Sequence, residues 1–269
     1  MLSTATNKAR IGLIGLGYLG RYVYDQIVSR PELGLEVAFV HDLASERLHG
    51  LPGEVVLKDL GAFASRRPDL VVEMAHPVVT RQFGEQFLRE ADYLPLSMTA
   101  FAEEGLQERL LERARGNGTC LFIPHGALVG LENIFEGRSL WEQVTIVMKK
   151  SPKHLDFTGA PQFNPAAITR PTVLYDGPTR ALCPMFPRNV NSHATVALAG
   201  IGFDRTRSVL IADPALEVSV IELTAQGNGV AMKIERSNPL KGVSGPFTLN
   251  STLAAICRAK GTPGAMQIC

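Results

Sequence analysis

An apolar run, Ile11-Gly12-Leu13-Ile14, leads into Gly15-Leu16-Gly17-Tyr18-Leu19-Gly20 and then into the segment Arg21 to Val28. Strand, glycine turn and helix in that order constrain the fold more than any other feature of the chain. In a G-x-G-x-x-G turn the first glycine makes the bend, the second lets backbone approach a pyrophosphate, and the third lets helix pack on strand. Gly15, Gly17 and Gly20 take those roles, and Tyr18 and Leu19 open the helix, whose free N–H groups face phosphate. A second apolar run, Leu35 to Val40, ends at His41-Asp42. An acidic side chain there accepts both ribose hydroxyls and favours NAD, while Arg47 lies near enough in sequence to meet a 2′-phosphate, so NADP stays open.

A chain of 269 residues can bury two modest cores. An apolar fraction of 45% and a formal charge of +1 describe an ordinary globular protein, with no basic surface for nucleic acid or anionic lipid. The longest apolar runs are strand-length and broken by Gly, Pro or charge, so no membrane span is expected. Met1 to Arg10 has no signal-peptide core and reads as a lead-in to the first strand. Cys120, Cys183, Cys257 and Cys269 have neither CxxC nor Cys/His ligand spacing, which argues against a disulfide framework or a metal site and for a reducing, cytoplasmic setting. They read as small buried apolar side chains, with terminal Cys269 the one expected to be exposed.

After Asp42, short strands alternate with helical segments. Strands are expected at Glu54 to Leu57, Leu70 to Met74, Tyr93 to Ser97 and Cys120 to Pro124, and helices at Leu60 to Arg66, Val78 to Glu90 and Glu103 to Arg115. Such βαβ alternation with right-handed crossovers makes a doubly wound parallel sheet. Past His125 the pattern changes. Trp141 to Met148, Ser208 to Ala212, Ser219 to Ala225 and Val230 to Glu235 read as strands of an open, largely antiparallel sheet, interrupted by a helix at Asn191 to Ala199. A last helix, Thr248 to Ala259, is expected to return to the first domain. The fold class is α/β: a Rossmann domain over residues 1–124, an α+β substrate and dimerisation domain over 125–246, and a C-terminal helix in 247–269. Gly159 to Pro171, rich in proline, reads as a mobile loop.

Four segments together resemble the L-aspartate dehydrogenase family, in its animal-like branch. They are Gly15 to Gly20, then Ile123-Pro124-His125-Gly126-Ala127-Leu128-Val129-Gly130-Leu131-Glu132, then Phe186 to Gly200, and last Ala212-Asp213-Pro214. The stretch FPRNVNSHATVALAG is the most specific of them. The resemblance implies a Rossmann domain with an α/β substrate domain, a homodimer, and oxidation of the amine of aspartate through iminosuccinate with NAD or NADP. It also implies that Gly126-Ala127, Asn189 and Asn191 touch the nicotinamide end. Each asparagine reads equally as a helix cap, and the two roles are compatible. Ala75 and His76, at the end of the strand through Val72, are further cofactor candidates.

One departure stands out. The family follows the Asp-Pro pair with N-x-H-E-I, whose histidine is regarded as the catalytic acid/base. Counted without gaps, Ile221 stands at that position here, and animal members of the family share the loss. Amine oxidation needs a base for the ammonium proton and an activated water for the imine, and histidine suits both near neutral pH. His193, on the helix with Asn191, and His125, before Gly126, are the catalytic candidates, with His76 a cofactor or substrate contact. His41, His49 and His154 read as surface or loop residues. For a dicarboxylate the available cations are Arg188, Lys149, Lys150, Arg170 and Arg180, with Arg188 the preferred substrate ligand. Tyr175, Phe186 and Phe163 suit a less charged substrate equally well. The expected activity is NAD(P)-dependent hydride transfer at the C–N bond of an amino acid or its imine, with L-aspartate and iminosuccinate foremost. Reduction of another imine or carbonyl compound, and non-catalytic nucleotide binding, are the alternatives.

Overall fold

In chain order the elements are β1 (Ala9–Ile14), α1 (Tyr18–Ser29), β2 (Leu35–His41), β3 (Leu70–Glu73), α2 (Pro77–Glu90), β4 (Asp92–Pro95), α3 (Leu106–Asn117), α4 (Leu131–Glu136), β5 (Gln143–Lys150), β6 (Thr172–Pro178), α5 (Thr179–Met185), α6 (Asn191–Ala199), β7 (Arg207–Ala212), β8 (Val218–Gly227), β9 (Val230–Pro239) and α7 (Pro246–Lys260). The computed structural model describes residues 8–239 and 245–262, so Cys269 and most of the lead-in to β1 lie outside the described residues. Two compact units result. One holds the chain up to Ser97, Gln107–Pro124 and the segment from Leu249; the other holds Met98–Leu106 and His125–Thr248.

In the first unit, parallel strands run in the order β2-β1-β3-β4. Two single parallel bridges widen the sheet, Val40 with Val56 beyond β2 and Tyr93 with Leu121 beyond β4. Numbered along the chain, the six segments lie 3-2-1-4-5-6, the dinucleotide-binding order, with its switch point between β1 and β3. The strands expected at Glu54 to Leu57 and Cys120 to Pro124 shrink to these bridges. Each is bounded by a proline, Pro52 or Pro124, that lacks an N–H for the ladder. The helix expected at Leu60 to Arg66 is a 3₁₀ turn, capped by Asp59, which accepts from the Gly61 N–H at 2.9 Å.

Helix α1 buries Gly20, Val23, Tyr24 and Ile27, one helical stripe, in a core shared with Ile11, Leu13, Val72 and Leu94. Ala255 and Ile256 of α7 complete that core, Tyr22 donates to Asn250 Oδ1 at 2.8 Å, and Lys260 pairs with Asp92 at 2.8 Å. The last helix therefore belongs with the first unit. Helix α2 starts at Pro77 and buries Thr80, Gly84, Phe87 and Leu88. Phe87 packs on Phe63 and Tyr93 at centroid distances of 4.9 and 5.1 Å, each such buried ring stabilising the fold by about 1.5–3 kcal/mol.

The second unit is built on a sheet of order β6-β7-β5-β8-β9. Strands β5 and β7 are parallel and every other neighbour is antiparallel, so the sheet is mixed. Its buried phase carries Val144, Ile146, Met148 and Lys150 on β5, Ser208, Leu210 and Ala212 on β7, and Ser219, Ile221, Leu223 and Ala225 on β8. Helix α6 is buried on nearly every side. Gly200, after its end, approaches Val144, while His193 near its start feels the charge of Lys150, so α6 lies along the buried face of β5. The first strand starts later than expected because Trp141 turns inward and donates to the Ile134 carbonyl at 3.1 Å. Gly159 to Pro171 contains only a short 3₁₀ turn, Pro165–Ala167.

No helix among the described residues is long and apolar enough to cross a membrane, and no group of His, Cys, Asp and Glu among them has metal-binding geometry. Among the described residues Cys120, Cys183 and Cys257 form no disulfide. Cys120 is exposed rather than buried as expected, because it flanks a single bridge at the sheet margin.

Candidate functional site

The glycine turn divides its glycines by function. Gly15 has φ +91°, and a Cβ there would meet the Met74 carbonyl at 2.8 Å. At Gly20 a Cβ would overlap the Gly15 carbonyl oxygen. Both are required by the protein's own packing. Gly17 is different: its φ of −70° suits any residue, and nothing lies within 4 Å of a Cβ built on it. It is the N-cap of α1, makes no side-chain cap, and has no acidic residue in the turn that follows. An uncapped helix end beside empty space fits a phosphate.

Around this turn two carboxylates organise backbone. Asp42 Oδ2 accepts from the Leu16 N–H at 2.6 Å and Oδ1 from the Ala44 N–H at 2.8 Å, while Arg47 approaches Oδ2 at 3.4 Å. Only 6% of its side chain is exposed. Asp42 thus ties the glycine turn to the end of β2. Glu73, the last residue of β3, is fully buried; its Oε1 accepts from the Ala75 N–H (2.7 Å), the His76 N–H (2.8 Å) and the Ser97 hydroxyl (2.8 Å), and its Oε2 from the Ser97 N–H (3.1 Å). Burial raises its pKa, and the donors only partly oppose that. Glu73 thereby fixes the loops after β3 and β4.

The second unit carries a different constellation. Cross-strand register places Ile221 between Met148 and Arg236, and Ser219 opposite Asn238. Lys150, the next buried-phase residue after Met148, enters the same row as Ser219 and Asn238. Lys150 is 6% exposed, and burial together with the Arg236 charge brings its pKa down to about 8. Among the described residues the buried Nε and Nη1 of Arg236, Nδ2 of Asn238, Oγ of Ser219 and both ring nitrogens of His193 have no hydrogen-bond partner. Burial and Lys150 hold His193 neutral, with a pKa near 3. The neighbour of Lys150 in sequence faces the opposite way: Lys149 pairs with Glu222 at 2.5 Å. So many unpaired donors on one buried face lack the acceptors that native interiors normally supply.

The comparisons with known proteins agree with this division of labour. Residues 15–124 match the family "Homoserine dehydrogenase, NAD binding domain", and residues 135–259 match "Aspartate dehydrogenase, C-terminal". The chain is 37% identical to an aspartate dehydrogenase domain-containing protein of Xenopus tropicalis, over 97% of this chain and 98% of that one. It is 31% identical to an L-aspartate dehydrogenase of Methanosarcina barkeri, over 81% and 83% of the two chains. This chain belongs to the aspartate dehydrogenase family. The fold is shared with the crystal structure of aspartate dehydrogenase from Thermotoga maritima, at a TM-score of 0.72 and 22% identity over 93% of this chain and 94% of that one. A hyperthermophilic archaeal homoserine dehydrogenase solved with NADPH shares it at a TM-score of 0.60 and 12% identity over 94% and 97%. As a member of that family the chain is an NAD(P)-dependent oxidoreductase, with its nucleotide-binding turn in the first unit.

Several expected site residues of this aspartate dehydrogenase family member sit in unexpected surroundings. Tyr18 is 45% exposed at the helix start, Leu19 packs against the core, and Ala75 and His76 are exposed. His76 caps α2, its Nδ1 accepting from the Val78 N–H at 3.3 Å. His125 meets Glu132 at 3.2 Å beside the turn that holds Gly126 and Ala127. Neither Asn189 nor Asn191 caps α6, whose N-cap is Val190. Asn189 spends both ends on the loop before it, donating to the His154 carbonyl at 3.0 Å and accepting from the Asp156 N–H at 2.8 Å. Asn191 accepts from the Thr99 N–H at 3.3 Å. Arg188 is 61% exposed and only 4.0 Å from Asp156. Arg180 is committed to Asp204 and the Ala102 carbonyl. His41, expected at the surface, is buried in β2 and bonds the Leu57 carbonyl at 2.9 Å. Tyr175 donates to the Pro178 carbonyl at 2.6 Å, and Phe186 packs on Phe157, so both serve structure.

His193 is where expectation and structure part most clearly. A conjugate acid with a pKa near 3 makes imidazole too weak a base for an ammonium proton. Glu73, Ser219, Arg236 and Asn238 were not evident as site residues beforehand. Period-2 alternation along QVTIVMKK assigns Lys150 to the apolar phase and Lys149 to the wet one, a signal that was present for the pair.

Proposed function

We propose that this protein catalyses NAD(P)-dependent hydride transfer at the C–N bond of an amino dicarboxylate or its imine, L-aspartate and iminosuccinate being the pair of first choice. The observation that carries this reading is the donor face of the second unit, where Lys150, Arg236, Asn238 and Ser219 meet no buried carboxylate among the described residues. Carboxylate oxygens match such donors, and the planar guanidinium of Arg236 can engage one through two N–H groups. Bound nicotinamide would supply the hydride acceptor or donor. Gly17 and the N-terminus of α1 would hold the pyrophosphate, and the loop ends fixed by Glu73 would face it. Lys150 and Arg236 would orient the substrate and offset its charge.

The same face favours the imine direction, because its donors offer no buried carboxylate among the described residues to receive an ammonium ion. Oxaloacetate with ammonium should therefore consume NADH or NADPH more readily than aspartate yields it at neutral pH. Cofactor oxidation that depends on ammonium, and a KM for oxaloacetate raised at least 30-fold in Arg236→Leu, are the expected results. Saturable cofactor binding without turnover would favour the non-catalytic alternative. Turnover independent of ammonium would point to a carbonyl reductase. The family resemblance and the outer strands β6 and β9, each with one neighbour among the described residues, support a homodimer, which sedimentation equilibrium would test. The free, exposed Cys120 suits a reducing compartment such as the cytoplasm.

A further inference from the structure

We propose that Lys150 is the residue that exchanges a proton with the substrate nitrogen. The inference rests on the reading above that an amino or imino dicarboxylate occupies the donor face. It comes from asking which group on that face can do acid/base work. Ile221 lies in the middle of the buried face, between Met148 and Arg236, and is aliphatic. Arg236 does not release its proton in the accessible range. His193 is held neutral and is too weak a base. Ser219 and Asn238 do not titrate. Lys150 remains, one row beyond Met148 and diagonal to Ile221, a spacing of about 7–8 Å that a long side chain spans.

Its surroundings suit the task. Arg236 on β9 and His193 on α6 face it, while Ser219 on β8, Asn238 on β9 and Ala212 on β7 are neutral. Glu222 and Lys149 occupy the opposite phase and pair with each other. Asp213, just past β7, gives its N–H to the Lys150 carbonyl and its carboxylate to the Ala215 N–H. No carboxylate among the described residues therefore clamps the ammonium. Burial and Arg236 place Lys150 near 8, where both protonation states are populated at physiological pH.

The proton and electron balance is closed by the residues and the cofactor. In amine oxidation the substrate ammonium gives one proton to the lone pair of neutral Lys150. The C–H bond on the same carbon then breaks, its electron pair leaving as hydride to the oxidised nicotinamide, while the nitrogen lone pair closes the C=N bond. The products are an iminium ion, reduced nicotinamide and protonated Lys150. In the reverse direction, hydride reaches the iminium carbon and Lys150 returns the proton to the amine.

The test uses the full chain, with succinate as an unreactive dicarboxylate probe. In ¹⁵N-lysine-labelled protein without cofactor, the Nζ resonance absent from Lys150→Met should titrate near pH 8 and rise by at least one pH unit with saturating succinate. Lys150→Arg should bind succinate within about threefold of wild type yet lose at least 100-fold in kcat with oxaloacetate and ammonium. A Lys150 midpoint above 10, no response to succinate, or turnover of Lys150→Arg within about threefold of wild type overturns the proposal. Should Lys150→Arg misfold, the wild-type titration still decides. A wild type inactive with aspartate and with oxaloacetate plus ammonium, but with the succinate-linked titration intact, overturns the proposed reaction instead.

Discussion

Replacing Gly17 by alanine separates what the glycine turn does for the protein from what it does for a nucleotide. The backbone at Gly17 lies at φ −70° and ψ −161°, open to an L-residue, and the new methyl meets nothing within 4 Å. Alanine loses less chain entropy than glycine on folding, a gain of about 0.4–1 kcal/mol. It is a poorer N-cap, which costs a comparable amount. The two effects nearly cancel, so the melting temperature should move by no more than about 3 °C, given about 2–4 °C per kcal/mol in a chain of this size. Binding should respond very differently. A methyl in the phosphate space displaces at least two charge-assisted N–H contacts, worth about 1.5–3 kcal/mol each. Loss of even half that sum, about 1.5–3 kcal/mol, weakens NADH or NADPH binding roughly 10- to 150-fold. Fluorescence titration of the reduced cofactors, beside thermal melts without cofactor, measures both quantities on one preparation. Cofactor affinity within threefold of wild type, with an unchanged melt, would refute the assignment of that space to phosphate. Gly20→Ala provides the contrast, because its methyl overlaps the Gly15 carbonyl and should depress stability as well as binding.

Three further outcomes follow from the same structure. Glu73→Gln keeps the shape but turns an NH₂ toward the Ser97 N–H, a loss of about 1–3 kcal/mol; because the folded pKa of Glu73 is raised, its stabilising contribution is full below the unfolded value and fades as pH rises, so the deficit in melting temperature should shrink from pH 5 to pH 8. With Asp42 already accepting from Leu16 and Ala44, Arg47 is the group left to read the ribose end, and Arg47→Ala should lower the ratio of NADPH to NADH affinity about tenfold, roughly 1.4 kcal/mol, in competitive titrations. Lys150→Met should be more stable than wild type at pH 7 by about 1–4 kcal/mol, since it removes a buried charge without a carboxylate partner. Lys150 has a folded pKa depressed from 10.5 to about 8, so its stabilising contribution is full above 10.5 and is lost as pH falls toward 8. At about 1.4 kcal/mol per pH unit, wild type should gain roughly 3 kcal/mol across that interval and Lys150→Met should not. Parallel melts with equal slopes would refute the buried-ammonium account.

Local pattern alone determined much of this protein. G-x-G-x-x-G after an apolar run specified β1, the turn and α1, because glycine positions and strand-to-helix periodicity are properties of neighbouring residues. The same held for α6, read from Asn191 to Ala199 and observed with those bounds. The weaker strands show where local reading stops. Glu54 to Leu57 and Cys120 to Pro124 have strand composition, but how many ladder bonds they make depends on a single neighbour at the margin of a sheet. β6 and α5 were not anticipated at all: Gly177 and Pro178 within the strand, and Pro184 within the helix, mask elements that tertiary packing stabilises. Burial and partners were decided by the fold. The character of Asp42 as an acid after β2 was legible, yet its engagement by Leu16 depends on how the glycine turn folds back over that strand end. His193 was legible as a histidine on a helix, but only the packing of α6 along β5 removes it from water and sets it beside Lys150. Lys150 and Lys149 are adjacent and chemically identical; strand pleating sends one to Glu222 and the other to Ser219, Asn238 and Arg236. That difference exists only once strands from distant parts of the chain are in register, because a neighbour's charge and the surrounding dielectric belong to the assembled sheet and to no single segment.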